Sequence, residues 1–347
     1  MKKITLILAL LILRPLIGQV VINEYSASNL YEYTDNYNME EDWIELYNSS
    51  ESDMDISGYF LSDKEDNPTK WIIPGGTIIS ANGYLTYWCS GRNESSGSNY
   101  HTNFKLKQTK NNPDHVIFSD PDGNVINDIE MQKTQLDHSM GRDMDDPESW
   151  RIFIHPTKGD ENLETNYIAY AEAATVNYEA GFYYGSIDLE ITTNEPNSSI
   201  RYTTNGNLPF FASSLYTGPI TISNTQVLKA IVYTTEPDIL PSFIIFNTYF
   251  IDEDHSLPVL STSANQLTTL LNGNQSLRPH GSIEYFNVEG ERKDFGYGEY
   301  NKHGQDSWAF PQRSFDYIAR DEMGYHDAIH EKLLSLSDRD EFQRIII

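Results

Sequence analysis

The chain is interrupted too often to be helical. Alternation of apolar and polar residues runs for a few positions before Gly, Pro, Asn or Asp breaks it, about every eight to twelve residues. Val20-Val21-Ile22-Asn23-Glu24-Tyr25 is followed by Asp42-Trp43-Ile44-Glu45-Leu46-Tyr47-Asn48, then by Asp55-Ile56-Ser57-Gly58-Tyr59-Phe60-Leu61-Ser62-Asp63, Trp71-Ile72-Ile73-Pro74 and 83–89. A period of two places successive side chains on opposite faces of a strand. Short strands at this spacing form β-sandwiches. The pattern resumes after position 180 with Ile187-Asp188-Leu189-Glu190-Ile191, Ile200-Arg201-Tyr202-Thr203-Thr204-Asn205-Gly206 and Val227-Leu228-Lys229-Ala230-Ile231-Val232-Tyr233. Asn205-Gly206 predicts a hairpin turn, since both residues tolerate positive φ. Helix is predicted only at 264–271 and 326–334, with one more polar turn at 338–343.

The 347 residues suffice for two or three cores. With 51 acidic against 24 basic residues the net charge is -27. Such a surface repels phosphate backbones and anionic lipid, so neither nucleic acid nor a membrane surface is an expected partner. A hydrophobic content of 39% with 12% aromatics excludes a disordered acidic tail. Lys2-Lys3, the apolar run 4–13 and the small Gly18 predict a signal peptide over 1–18, with an apolar run too short to span a bilayer. No later stretch reaches spanning length. The expected product is exported, soluble or held at the surface of a bacterium, without membrane insertion. Cys89 is the only cysteine and alternates with Leu85 and Tyr87, which predicts a small buried strand residue rather than a reactive thiol.

Several polar positions carry a chemical and a plain reading together. Asp120-Pro121-Asp122-Gly123-Asn124 starts like a calcium loop but has Val125 where the sixth-position Gly belongs, so a hairpin turn is expected. Asp42 and Glu45 fall on opposite sides of a strand and read as exposed charges. Asp143, Asp145 and Asp146 read as a solvated loop. The polar, Ala-rich stretch within 161–174 reads as a linker. Tyr184, Phe210 and Phe211 are either core residues or platforms for a sugar ring.

Two segments resemble known families. Ile22-Asn23-Glu24, Asp42-Trp43-Ile44-Glu45-Leu46-Tyr47-Asn48, Leu61-Ser62-Asp63, His101-Thr102-Asn103-Phe104-Lys105-Leu106 and Ser139-Met140-Gly141-Arg142 resemble a bacterial lamin-tail domain. The resemblance covers 19–162 and implies an immunoglobulin-like accessory sandwich without catalysis. Gly181-Phe182-Tyr183, Tyr202-Thr203-Thr204-Asn205-Gly206, Tyr216-Thr217-Gly218-Pro219-Ile220 and Lys229-Ala230 resemble the C-terminal module of chitobiases and hexosaminidases over 173–251, after a linker at 163–172.

The last segment, 256–347, resembles the start of the spore-coat-H kinase-like family. His303-Gly304, Ser307, Pro311-Gln312-Arg313-Ser314-Phe315 and Asp321-Glu322-Met323-Gly324 carry this likeness. The fold class expected is therefore mainly β: two immunoglobulin-like sandwiches followed by a partial α+β kinase-like lobe. The complete family domain binds ATP with a divalent metal, Mg or Mn, and phosphorylates protein Ser/Thr. The resemblance implies Lys302, His303 and Arg313 as nucleotide contacts. The family usually has a second basic residue where Gln312 stands, and its catalytic acids have no counterpart before Ile347. The plain reading makes His303-Gly304 and Ser307 a polar turn and pairs Arg313 with a carboxylate. No catalytic residue can be named, and the chain by itself is expected to be inactive, with no cofactor, as a fragment lacking the C-terminal half of that domain. Arg344-Ile345-Ile346-Ile347 reads as a strand from inside a sheet, sticky where unpaired. His326 and His330, four apart on a predicted helix, share a face as zinc ligands would, but no third ligand accompanies them. The sequence thus suggests an exported surface or adhesion scaffold whose partners are proteins or glycans at the cell surface; the alternative is a carbohydrate-associated module of a glycan-processing protein.

Overall fold

The computed structural model describes residues 19–109, 113–311, 313–334 and 337–347, with the backbone alone at Asp306 and Ser307. The signal-peptide reading of 1–18, Gln312 and the Ser307 side chain lie outside the described residues. The chain is almost entirely β, with 40% strand and 3% helix.

The first core lies between two sheets. One sheet runs, in spatial order, Asn166–Tyr167, Trp150–Phe153, Ser139–Arg142, Val20–Ser26, Trp43–Asn48, Tyr84–Trp88, Asn99–His101 and Glu94–Ser96. The other runs Val125–Glu130, His115–Ser119, Phe60–Ser62 and Trp71–Ile72. Alternate residues Ile44, Leu46, Tyr87, Met140 and Ile152 of the first sheet meet Leu61, Trp71, Val116 and Phe118 of the second, so this is a β-sandwich. Cys89 is fully buried in that core, and burial pushes its thiol pKa well up. Among the described residues no group of three or more His, Cys, Asp or Glu is placed to hold a metal ion. Native iodoacetamide should therefore leave Cys89 unlabelled, and neither reductant nor chelator should move the melting midpoint. Rapid labelling of the folded protein, or a chelator-induced drop, would contradict this packing.

The second core sets the sheet Gly181–Tyr183, Ile245–Ile251, Gln226–Thr234, Ser198–Thr203, Ser214–Leu215 against the pair Ile187–Leu189 and Ile220–Ile222. Leu228, Ala230, Val232, Tyr249 and Ile251 pack onto Ile187, Leu189, Ile191 and Ile222. The stretch read as a linker carries strands instead. Asn166–Tyr167 closes the edge of the first large sheet, and Ala169–Tyr170 pairs in parallel with Ile239–Leu240. Its polar composition concealed that its backbone groups are taken up by strands on both sides.

The third sheet is an antiparallel meander of Val259–Ala264, His280–Phe286, Arg292–Lys302, Phe315–Ala319 and Arg344–Ile346. One face packs Ile283, Tyr300, Phe315 and Tyr317 onto Trp308, Ile329 and the one-turn helix Leu267–Leu271. The helix expected at 326–334 does not form. Ile329 exchanges both backbone hydrogen bonds with Phe342, at 3.0 and 2.9 Å, and the Asp294 carboxylate accepts from the His330 amide at 2.6 Å. The helical turn expected at 338–343 does not form either, since Phe342 is taken up in the bridge to Ile329. Arg344–Ile346 lies at the sheet edge rather than inside it, with Ile346 58% exposed.

Turns divide by whether their neighbours intrude. Asp120-Pro121-Asp122-Gly123 is the expected hairpin: the Asp120 carboxylate accepts from the Asn124 amide at 2.8 Å, and Gly123 has φ 85°. Glu289-Gly290 likewise turns between adjacent strands. Asn205-Gly206 is not a tight hairpin. Gly206 donates to the Val227 carbonyl at 3.0 Å, and the Ser198–Thr203 strand finds its outer partner only at Ser214–Leu215. A Cβ on Gly206 would stand 2.9 Å from Ser263 Cβ, so glycine serves the approach of the third sheet there.

The three units are locked together. Leu30, Phe246, Tyr297 and Met323, one or two from each, form a separate buried cluster. Glu284, 1% exposed, pairs with Arg292 at 2.9 Å and accepts from the Thr248 hydroxyl of the second unit. Lys107 meets Asp327 at 2.6 Å, and Gln108 donates to the Asp321 carbonyl at 2.7 Å.

Candidate functional site

Directly opposed residues on adjacent strands share a sheet face. The pairs Glu299↔Ile318, Asn301↔Asp316 and Ile318↔Arg344 therefore place five side chains on the face of the third sheet away from its core. With Arg278, Lys302 and Arg320 at the margins they line a cleft of about 650 Å³. Four cations, Arg278, Lys302, Arg320 and Arg344, thus meet two buried carboxylates, Glu299 and Asp316. Arg344 pairs with Asp316 at 2.5 Å, whereas Arg278 stands 3.7 Å from Glu299 and Arg320 3.8 Å from Glu322. In a chain of net charge -27 this concentration of cations suits an anionic group.

Of the residues expected to contact nucleotide, only Lys302 lines the cleft. Its Nζ donates to Gln275 Oε1 at 2.6 Å and stands 5.6 Å from the centre of the Trp308 ring. Arg313 lies 5.4 Å from the same ring and donates to the Leu271 carbonyl, so its expected carboxylate partner is replaced by a backbone oxygen. His303 Nδ1 is 3.0 Å from Asp316 Oδ1. Lys302 and Arg313 are brought together around one indole, and His303 faces the carboxylate at the cleft floor. Sequence reasoning missed Arg278, Arg320 and Arg344, because only strand register aligns residues so far apart. His326 and His330 do not share a helix face: His326 is held 2.8 Å from Asp294, which raises its pKa, and His330 lies 3.1 Å from Asp327.

A second polar constellation lies on the outer face of the first large sheet. A bulge between Ile22 and Glu24 sets Glu24 directly opposite Glu45, and both are 0% exposed. The expectation of an exposed Glu45 is corrected here, and Asp42, partly exposed, also has its pKa raised well up by burial. The covering segment is distant in sequence: Thr157 donates amide and hydroxyl to Glu24 at 3.0 and 2.7 Å, and the Gly159 amide donates to Glu45 at 2.6 Å. Ser139 donates to Glu24, and Asn23 bridges Glu45 and Asn162. Burial first, then the Glu24 charge, pushes the Glu45 pKa up to about 8. This network ties residues 157–162 down onto the sheet.

The candidate sugar platforms are exposed, Tyr184 by 82%, Phe210 by 62% and Phe211 by 69%. They do not form one surface of contacts. Tyr184 donates to Asp254 at 3.0 Å, while Phe211 meets Tyr233 edge-on at 5.9 Å beneath the Arg201 guanidinium at 5.3 Å. Asp143 is paired with Arg151 at 2.6 Å in the loop that also holds Asp145 and Asp146.

Comparison with protein families matches residues 15–133 to the family described as Lamin Tail Domain. Residues 178–237 match the Chitobiase/beta-hexosaminidase C-terminal domain. The spore-coat-H likeness of the last segment gains no support from these matches. No curated protein matches the chain. Among the described residues no helix is long and apolar enough to cross a membrane.

Proposed function

We propose that the protein is an exported β-scaffold that holds accessory modules in fixed relation at the bacterial surface, where it engages a protein or a glycan. The carrying observation is the continuous packing between its units: the cluster around Phe246 and Tyr297, and the buried Glu284–Arg292–Thr248 contact, replace flexible tethers. Rigid spacing is of use to a presenting or adhesive part and of little use to a freely diffusing enzyme. The match to the Chitobiase/beta-hexosaminidase C-terminal domain supports an extracellular setting. The domain limits that fit this reading are 19–162, 173–251 and 256–347.

Cell fractionation with an antibody to the intact chain tests it. The protein is expected in the surface or medium fraction; a purely cytosolic pool would overturn the proposal. The kinase-like reading of 256–347 rests on its motif. ATP titration with Mg or Mn and a phosphotransfer assay on this chain are expected to be blank, and transfer of phosphate would show catalytic residues here. A carbohydrate-binding role is the second reading, favoured by the exposed Phe211 under Arg201. Glycan-array signal lost on Phe211→Ala would select it.

A further inference from the structure

We propose that the basic cleft and an apolar cavity beside it form one site for a small carboxylic acid with an aromatic or apolar body. This goes beyond the scaffold reading and does not depend on it. The cavity, of about 200 Å³, is walled by Leu136, Leu208, Ile231, Phe243, Tyr297 and Tyr325, which come from all three units. That volume accommodates one ring, since a cavity of roughly 150 Å³ takes up benzene.

Cavity and cleft lie side by side along the Arg292–Lys302 strand. Tyr297 lines the cavity, and Glu299, two residues on and therefore on the same face, lines the cleft. His280, the cross-strand partner of Glu299, lines the cavity as well. Arg320 closes the seam: its amide donates to the Tyr297 carbonyl at 3.3 Å and its side chain lines the cleft. Side chains two apart on a strand are separated by about 7 Å, the length of a short aromatic acid.

Two buried donors have no partner among the described residues: the hydroxyl of Tyr297, which lines the cavity, and Nε of Arg320, which lines the cleft. Buried donors without acceptors are uncommon and costly, and Tyr297 is only 6% exposed. The Arg320 Nη1 lies 3.8 Å from Glu322, too far for a hydrogen bond. Nε and a terminal nitrogen form the planar fork with which arginine grips a carboxylate. The acid already at the seam, Glu299, is engaged by Asn301 at 2.5 Å and Tyr31 at 3.3 Å. Around it Arg278, Lys302, Arg320 and Arg344 outnumber Glu299 and Asp316, which leaves the lining positive toward a further anion. A ring in the cavity would place its carboxylate at Arg320.

The test is calorimetric titration and saturation-transfer NMR on the whole chain with 3-phenylpropionate, against 3-phenylpropanamide as the neutral isostere. Saturable binding of the acid is expected, with the amide weaker by about tenfold or more. Arg320→Gln should bring the acid down to the affinity of the amide, and Arg320→Lys, which keeps charge but not the fork, should fall between. Leu208→Trp, which fills the cavity, should abolish binding of both. Melting midpoints identify any variant that fails to fold, in which case the other site carries the test. The proposal is overturned by absence of saturable binding at millimolar acid, by equal binding of acid and amide, or by a folded Arg320→Gln or Leu208→Trp protein that binds as the parent does.

Discussion

Gly298→Val is expected to unfold the C-terminal sheet while leaving the first sandwich intact. Ala264, Gly281, Gly298 and Ala319 form a row of small residues across four strands in direct register. A Cβ on Gly298 would lie 2.0 Å from the Ile318 carbonyl oxygen, and one on Gly281 2.2 Å from that of Ser263. Both obstacles are backbone, so relief requires the strands themselves to part and their ladder hydrogen bonds to break. A loss of roughly 4 kcal/mol follows, at the upper end for single substitutions. Gly58→Ala is the control, because nothing stands within 4 Å of its Cβ and only its φ of 80° is strained; it should cost about 1 kcal/mol. Amide exchange across 259–346 reads the difference, and unchanged protection in Gly298→Val would refute the close-approach argument.

The second large effect depends on pH and centres on Glu45. In the unfolded chain its carboxyl ionises near the ordinary 4.5, whereas in the folded protein burial and the facing Glu24 hold the proton up to about 8. Below 4.5 both states carry the proton and no penalty arises. Between 4.5 and 8 the folded state holds more protons than the unfolded one, so stability falls as pH rises. The shift corresponds to about 5 kcal/mol at full development, an upper figure for this group. Glu45→Gln mimics the protonated acid and should remove that decline: close to the parent at pH 5, it should melt higher than the parent at pH 8. Lys229, 0% exposed and hydrogen-bonded to the Ser263 carbonyl at 3.0 Å, has the opposite profile. Burial lowers its pKa to about 7 from 10.5, so its neutral form favours folding as pH rises across that window and the advantage is lost as pH falls through 7. Lys229→Met should flatten this rise. Melting curves from pH 5 to 10 decide both points, and variant profiles parallel to the parent would sink them.

The strands of both sandwiches were legible because alternation, propensity and turn residues act locally and agree. Cys89 and the Asp120 turn follow from such neighbours. The helix expected at 326–334 fails because Phe342 and Asp294 compete for its backbone groups. The same limit hid Glu45. Its alternation was clear, but the face opposite the core reads as solvent until residues 157–162, more than a hundred positions away, are laid over it.

The cleft belongs to the same class. Lys302 was visible in the motif, but Arg278, Arg320 and Arg344 join it only through the register of four strands, which no local pattern encodes. The sequence by itself determined that the chain is acidic, β-rich and built of short strands around at least two cores, since these properties depend on composition and on contacts within a few residues. Tertiary structure decided which charges are buried, that the supposed linker carries strands, and where the cations gather. Those outcomes depend on which distant segment covers or joins each face, and burial rather than residue type then sets the cost of a charge.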